Sequence, residues 1–384
     1  MTGSSAEATS GGTSVAIEID YSEVTGKKVE CPQQCGMCCL CQPEVLPEER
    51  AFFRTKYPKA LVKSRCEDQH FALAMKNGKG SCVFLNGRRC DIYQNRTTFC
   101  RQFPFHFHVS DRIRVELDLS CRGVWSGNGD DAVTEAKKLA EDSERRLSMA
   151  LKEASAVYRE FYSICRETGV MCDPSQLRMS VSENIYNFTN LAYLAKVLNM
   201  SLEEPKMTLD GLTGDPKYDP KELDDAARDA SMESMGSDDP LSVPVYCDRD
   251  WNWNMFMANE NTIEWAVMDD DGEMHHKGFV DAREIKLKEP DEEGKRLLAE
   301  YVSVLNGRDS FLGSVFYNMD QLGYEDDMAN TYYGSLAVTV LDLLWRASLL
   351  DHFFGFGMGA EGIREAIIFF DMDRLDAPTI GAFV

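Results

Sequence analysis

Positive charge is scarce in this chain. Its 41 Lys and Arg stand against 64 Asp and Glu, a formal net charge of -23. Such a surface repels phosphate backbones and anionic bilayers, so neither nucleic acid nor a membrane surface is an expected partner. Long apolar runs are missing too: the most apolar stretch, residues 335–358, is broken by Asp342, Arg346 and Asp351, which disfavours a lipid-facing span. The first residues, MTGSSAEATSGGTS, have no basic n-region and no apolar h-region. No secretory signal is expected there, and residues 1–14 read as a disordered tail. There is no glycine-rich phosphate loop and no serine nucleophile elbow; Gly355-Phe-Gly357-Met-Gly359 lacks the strand-then-helix setting of a dinucleotide site and reads as a helix-terminating turn. With 43% hydrophobic residues in 384, the chain can still bury a sizeable core. These features point to a soluble cytoplasmic protein.

What the sequence has in abundance is cysteine, 13 in all, of which ten lie between residues 31 and 121. That segment is locally basic, with 14 Lys and Arg against 9 Asp and Glu. Thiolates are anionic, and neighbouring Arg or Lys offsets them. In a reducing compartment, clustered cysteines point to metal binding or redox chemistry rather than to a disulfide framework.

The rest of the chain organises around this segment as an α+β protein. Residues 15–129 read as a cysteine-rich metal module. Residues 130–202 read as a helical hairpin, with one long amphipathic helix over 131–168 and a second starting near Ser182. Residues 203–240, with 12 acidic and 4 basic residues and four prolines, read as a mobile acidic linker carrying a short helix around 220–230. Residues 241–384 form a C-terminal α+β region. It holds a β-hairpin over 262–268 and 274–280 turning at Asp269-Asp270-Asp271-Gly272, then helices over 292–305, 309–322 and 331–350. The Asp triplet lacks the spacing of a calcium loop and reads as a solvated turn. His275 and His276 are adjacent on a strand and point to opposite faces. Trp251 and Trp253 alternate with Met255 and Met257 as a core face. With all cysteine ligands expected before residue 122, a fragment ending near Met200 is expected to keep its metal.

The cysteines themselves are patterned. Cys31-Pro-Gln-Gln-Cys35-Gly-Met-Cys38-Cys39-Leu-Cys41 is followed by Cys82-Val-Phe-Leu, Cys90-Asp-Ile-Tyr-Gln-Asn-Arg96 and Cys100-Arg101-Gln-Phe-Pro. Four linked motifs in this order resemble the zinc- or iron-chelating (YkgJ-like) cysteine-cluster family, with flagellin lysine N-methylases among its looser relatives. The resemblance covers about a quarter of the chain. It implies metal chelation by Cys31, Cys35, Cys38, Cys39, Cys82, Cys90 and Cys100, with Arg96 and Arg101 at the family's basic positions. The sequence departs from the pattern twice: three residues separate Cys31 from Cys35 where two are usual, and Thr97 stands where proline is common.

Adding Cys121 gives eight candidate ligands, enough for two four-sulfur sites or for one site with spares. Adjacent side chains diverge, so Cys38 and Cys39 are not expected to share one mononuclear ion. Cys41, Cys66, Cys165, Cys172 and Cys247 read as small buried hydrophobes. His106 and His108 could complete a mixed site, but the favoured reading is a surface-facing pair opposite buried Phe105, Phe107 and Val109. Cys31-x3-Cys35-x2-Cys38 is also the spacing of radical S-adenosylmethionine enzymes. Met37, the extra Cys39 and the lack of alternating strands and helices weigh against that reading. Three functions remain: a protein holding an iron–sulfur cluster (4Fe–4S) or zinc for electron transfer or as a metal-dependent accessory; a cluster-dependent enzyme of the protein N-methylase type acting on a protein substrate; and a structural zinc scaffold for protein partners.

Overall fold

The structure, a computed structural model, describes residues 17–65, 70–212, 218–236 and 243–384. The fold is α+β, with helices dominating several small sheets. Those sheets are antiparallel except where Ile19–Asp20 runs parallel to Ile113–Leu117, and no strand–helix barrel forms among the described residues. The radical-enzyme spacing is therefore without its usual scaffold.

The centre of the molecule is the helix Met328–Phe354, buried on nearly every face. By length and composition it could cross a membrane, but 89% of its most apolar window is covered by the rest of the protein. A helix apolar all round belongs in a core. Around it pack Leu191–Glu203, Pro220–Met235 and Ala360–Leu375. Two of the charges that interrupt its sequence pair inside this core: Arg346 Nε meets Asp342 Oδ1 at 2.9 Å, and Arg346 Nη1 meets Asp373 Oδ2 at 2.7 Å.

The short helix expected around 220–230 is present as Pro220–Met235, longer than expected and docked rather than mobile. Leu223, Ala227, Ser231 and Met235 fall at four-residue intervals and bury against the central helix, while Glu222, Asp229 and Glu233 face solvent. Asp219 caps the first turn and Pro220 occupies its first position. The acidic composition belongs to the outer face of a docked helix, and periodicity overrides it. The tail 1–14 lies outside the described residues.

The long helix is present as Ala132–Thr168, capped by Asp131 at one end and by Gly169 with φ 81° at the other. It does not pair with a helix starting near Ser182. Instead it lies along the hairpin Phe105–Val109/Ile113–Leu117. The following segment breaks into Pro174–Glu183, a 3₁₀ turn and Leu191–Glu203, the last packed on the central helix. Beyond the glycine-rich turn, where Gly355 and Gly357 take positive φ, a further helix, Ala360–Leu375, appears that periodicity had not announced.

The C-terminal sheet orders Val245–Cys247, Trp253–Asn259, Thr262–Met268 and Met274–Asp281 as consecutive antiparallel neighbours, with the expected turn at Asp269–Gly272. That turn is not merely solvated. Ser81 donates both N–H and hydroxyl to Asp270 O at 3.0 Å, and Asp270 pairs with Arg88 Nε at 3.0 Å. Cys35, Met37 and Leu85 share one buried cluster with Val243, Cys247, Trp253, Met255 and Met268. The cysteine module is thus built onto the C-terminal sheet. A fragment ending near Met200 would leave this cluster half empty, and it is now expected to be poorly folded and to lose metal; a folded, metal-loaded fragment seen by circular dichroism and elemental analysis would show instead that the module stands alone.

A second join is buried and ionic. Arg308 reaches Asp371 Oδ1 at 2.7 Å, Glu23 Oε1 at 3.1 Å and Leu117 O at 2.9 Å, while Tyr301 hydroxyl donates to Asp371 Oδ1 at 2.7 Å. The two-residue strand Ala382–Phe383 then pairs with Phe105–Val109, closing the sheet that begins with Ile19–Asp20.

Candidate metal centre

The first cysteine cluster turns on Gly36. Its φ of 64° is left-handed, and a Cβ there would stand 2.9 Å from the Trp253 ring, so turn and packing both require glycine. Met37–Cys39 then winds into one 3₁₀ turn, closed by Cys39 N–H to Gly36 O at 2.9 Å. Cys82 N–H donates to Cys39 O at 2.8 Å and lays the second motif on the first. Leu85–Asn86 and Arg89–Cys90 form a tight hairpin in which Gly87 and Arg88 both have positive φ, returning Cys90 to the same side. Thr97 accepts from Cys100 N–H at 3.3 Å, capping the helix Thr98–Gln102. Threonine is therefore useful where the resembled family commonly has proline.

These turns bring Cys31, Cys38, Cys39, Cys82, Cys90 and Cys100 around one cavity of about 310 Å³. Arg88 and Arg96 stand in its wall. Arg88 lies 3.4 Å from the centroid of the Trp253 ring and is held by Asp270; Arg96 lies 3.8 Å from that of Tyr93 and donates to Tyr93 O at 3.0 Å and Cys100 O at 3.4 Å. Arg101 turns away, to Asp142 at 2.8 Å. All twelve described cysteines are free thiols. Among the described residues no three His, Cys, Asp or Glu side chains are already gathered as a set that could hold a metal ion. The thiols line a space rather than converge on a point.

The adjacent pair lies on the 3₁₀ turn Met37–Cys39. On a 3₁₀ turn the thiols of Cys38 and Cys39 reach each other, and their hydrogen bond holds Cys38 below the ordinary thiol value while pushing Cys39 up. Both line the cavity. Burial pushes the thiols of Cys82 up to about 11 and Cys100 up to about 12. Metal entry must therefore displace protons, and affinity falls as pH falls. A soft six-thiol lining flanked by fixed guanidinium groups fits zinc or an iron–sulfur cluster.

Two expected ligands lie elsewhere. Cys35 is buried under the turn and bonds to the thiol of Cys247, which with Arg122 and Arg88 holds it below the ordinary thiol value. Cys121 is also buried, and burial pushes its thiol up. Cys247, expected as a small buried hydrophobe, is buried in the core, and Arg122 Nε donates to its carbonyl at 2.6 Å. Only the pairing of sheet and cysteine turn reveals that contact. Cys165 is buried within the long helix, and Cys172 donates to Asp327 Oδ1 at 3.2 Å. Cys66 lies outside the described residues. Cys41 lines a neighbouring cavity together with His106.

The histidines of Phe105–Val109 are not surface-facing. His108 is fully buried beneath the strand Ala382–Phe383, and burial lowers its imidazole to about 4; His106 is half-buried, and both rings meet Phe383 edge-on. His275 and His276 do lie at the surface, against Asp269 at 2.8 Å and Glu264 at 2.9 Å. Trp253 and Met255 are core residues as expected, but Trp251 sits in the preceding turn with φ 64°.

A compact set of turns that points thiols into an arginine-flanked cavity defines a thiolate metal-binding module. Its family follows from comparison: residues 30–122 match the CxxCxxCC family, described as "Putative zinc- or iron-chelating domain". No curated protein and no solved structure matches the chain.

Proposed function

We infer that the cavity holds an iron–sulfur cluster and that the protein serves electron transfer, or a metal-dependent accessory role, in the reducing cytoplasm. One observation carries this reading: six cysteines from four separate motifs line a single space of about 310 Å³. A tetrahedral zinc bound at about 2.3 Å draws four sulfurs onto a point. The broad lining suits a larger body. Cys38 and Cys39 side by side, awkward for one ion, can serve different corners of a cluster, and Arg88 and Arg96 offset thiolate and sulfide charge.

Protein purified without oxygen is expected to be brown, with iron and acid-labile sulfide and visible absorbance that bleaches on reduction. Stoichiometric zinc with neither iron nor sulfide, from an iron-replete anaerobic preparation, would overturn electron transfer and favour the structural scaffold.

A further inference from the structure

Residues 50–65, RAFFRTKYPKALVKSR, hold six Lys and Arg and no Asp or Glu, with Glu67 and Asp68 following; outside that run 35 Lys and Arg stand against 64 Asp and Glu. The run forms the helix Arg50–Lys56 and, after a turn at Pro58, the strand Leu61–Lys63, paired with Phe71–Leu73. Phe53 points inward and shares a buried cluster with Cys82 and Ile92. Four-residue spacing sets Phe52 with Lys56, and Arg50 with Arg54, on other faces. Lys56 Nζ lies 5.2 Å from the centroid of the Phe52 ring, while Lys63 Nζ and the Arg50 guanidinium lie 4.7 and 5.1 Å from that of Phe71. Phe52 is still 40% exposed, and Arg54, Lys56 and Lys59 stand at the surface. Among the described residues none of these three cations meets a carboxylate. Glu49 accepts instead from Thr98 N–H at 2.8 Å, and Glu44 faces His70 at 3.2 Å. By contrast Lys79, Arg88 and Arg101 meet Glu273, Asp270 and Asp142. The uncovered face stands beside the metal cavity: Tyr57 meets Phe84 edge-on at 5.0 Å, and Phe84 lines that cavity.

We propose that this face docks a protein partner with a carboxylate-rich surface and so brings that partner against the wall of the cysteine cavity. The acidic remainder of the molecule repels such a partner, so the patch orients the encounter as well as attracting it. Arginine and exposed aromatic side chains are also what interface centres favour, and a face this small suits a transient complex. The extent of the charge decides against other anions. A nucleic-acid duplex carries one charge per about 1.7 Å of axis and runs on past a helix about 10 Å long, onto a surface that is acidic. An anionic bilayer extends further still. A folded protein can end where the patch ends. The assignment does not depend on which metal the cavity holds.

The test titrates the full-length protein into fluorescently labelled poly-L-glutamate, a carboxylate-rich polypeptide, and follows anisotropy at low salt. A labelled oligothymidylate of similar length and phosphatidylserine-containing vesicles serve as the competing anions. Poly-L-glutamate is expected to bind and to be released as salt rises past about 0.15 M. Reversing Arg54→Glu, Lys56→Glu and Lys59→Glu together is expected to weaken binding by about tenfold or more. Lys138→Glu, Lys152→Glu and Arg159→Glu, the same change of charge at exposed positions of the long helix, are expected to leave it within about twofold. Circular dichroism confirms that both triple variants fold. No binding of poly-L-glutamate, equal losses in the two variants, or tighter binding of the oligothymidylate or the vesicles would overturn the assignment. Any of these would leave the metal reading standing, because metal content is measured separately.

Discussion

Cys82→Ser and Cys100→Ser are each expected to lower metal affinity by about 100-fold, since the roughly 10–16 kcal/mol of a thiolate site is divided among a few ligands. Both side chains line the cavity, and each arrives on a different motif. Cys35→Ser should lose less metal, because its thiol is engaged with Cys247. Cys165→Ser, altered within the long helix, should lose none. Metal content per chain after gel filtration, with circular dichroism to confirm folding, checks all four. If Cys165→Ser loses as much as Cys82→Ser, the loss reflects general instability and the cavity is not the site.

The largest effect on stability is expected at Arg308. Its guanidinium is buried between Glu23 and Asp371, and the two carboxylates come from opposite ends of the sequence. Around Glu23, burial acts to raise the carboxyl and the charge of Arg308 opposes it. Arg308→Ala leaves both acids buried without their cation, a change of about 3–5 kcal/mol. Lysine cannot replace the fork that reaches three acceptors at once, so Arg308→Lys should recover only part. By contrast Lys221→Ala, which breaks the exposed pair with Asp225, should leave the urea midpoint essentially unchanged. Urea denaturation measures each. A loss below about 1 kcal/mol for Arg308→Ala would mean that water reaches the network and that the two halves are joined by apolar packing alone.

The cysteine motifs were legible because their chemistry is local: each lies within a few residues, and soft ligands at such density have few other uses. The long helix was legible for the same reason: Asp131, Gly169 and the apolar spacing between them specify it together. What escaped was set by partners distant in sequence. A short helix around 220–230 was expected, but its docking is set by the central helix, about a hundred residues further along the chain. Cys247 gains a role from Cys35, and Arg308 from Glu23 and Asp371; no pattern within a short window encodes those meetings. The strand Ala382–Phe383 is only two residues long, too short for alternation to register.

Trp253 illustrates what long-range closure implies for the making of the protein. Its indole N–H bonds to Cys35 O at 3.0 Å across 218 residues of sequence, and its ring supports both Gly36 and Arg88. A chain emerging from the ribosome holds its dense cysteines long before this tryptophan exists. Contacts of such separation form late in folding, because loop closure must precede them. During that interval the thiols are uncovered, so capture of metal competes with their oxidation. Metal supplied during synthesis is therefore expected to fill more of the protein than metal offered to finished chains.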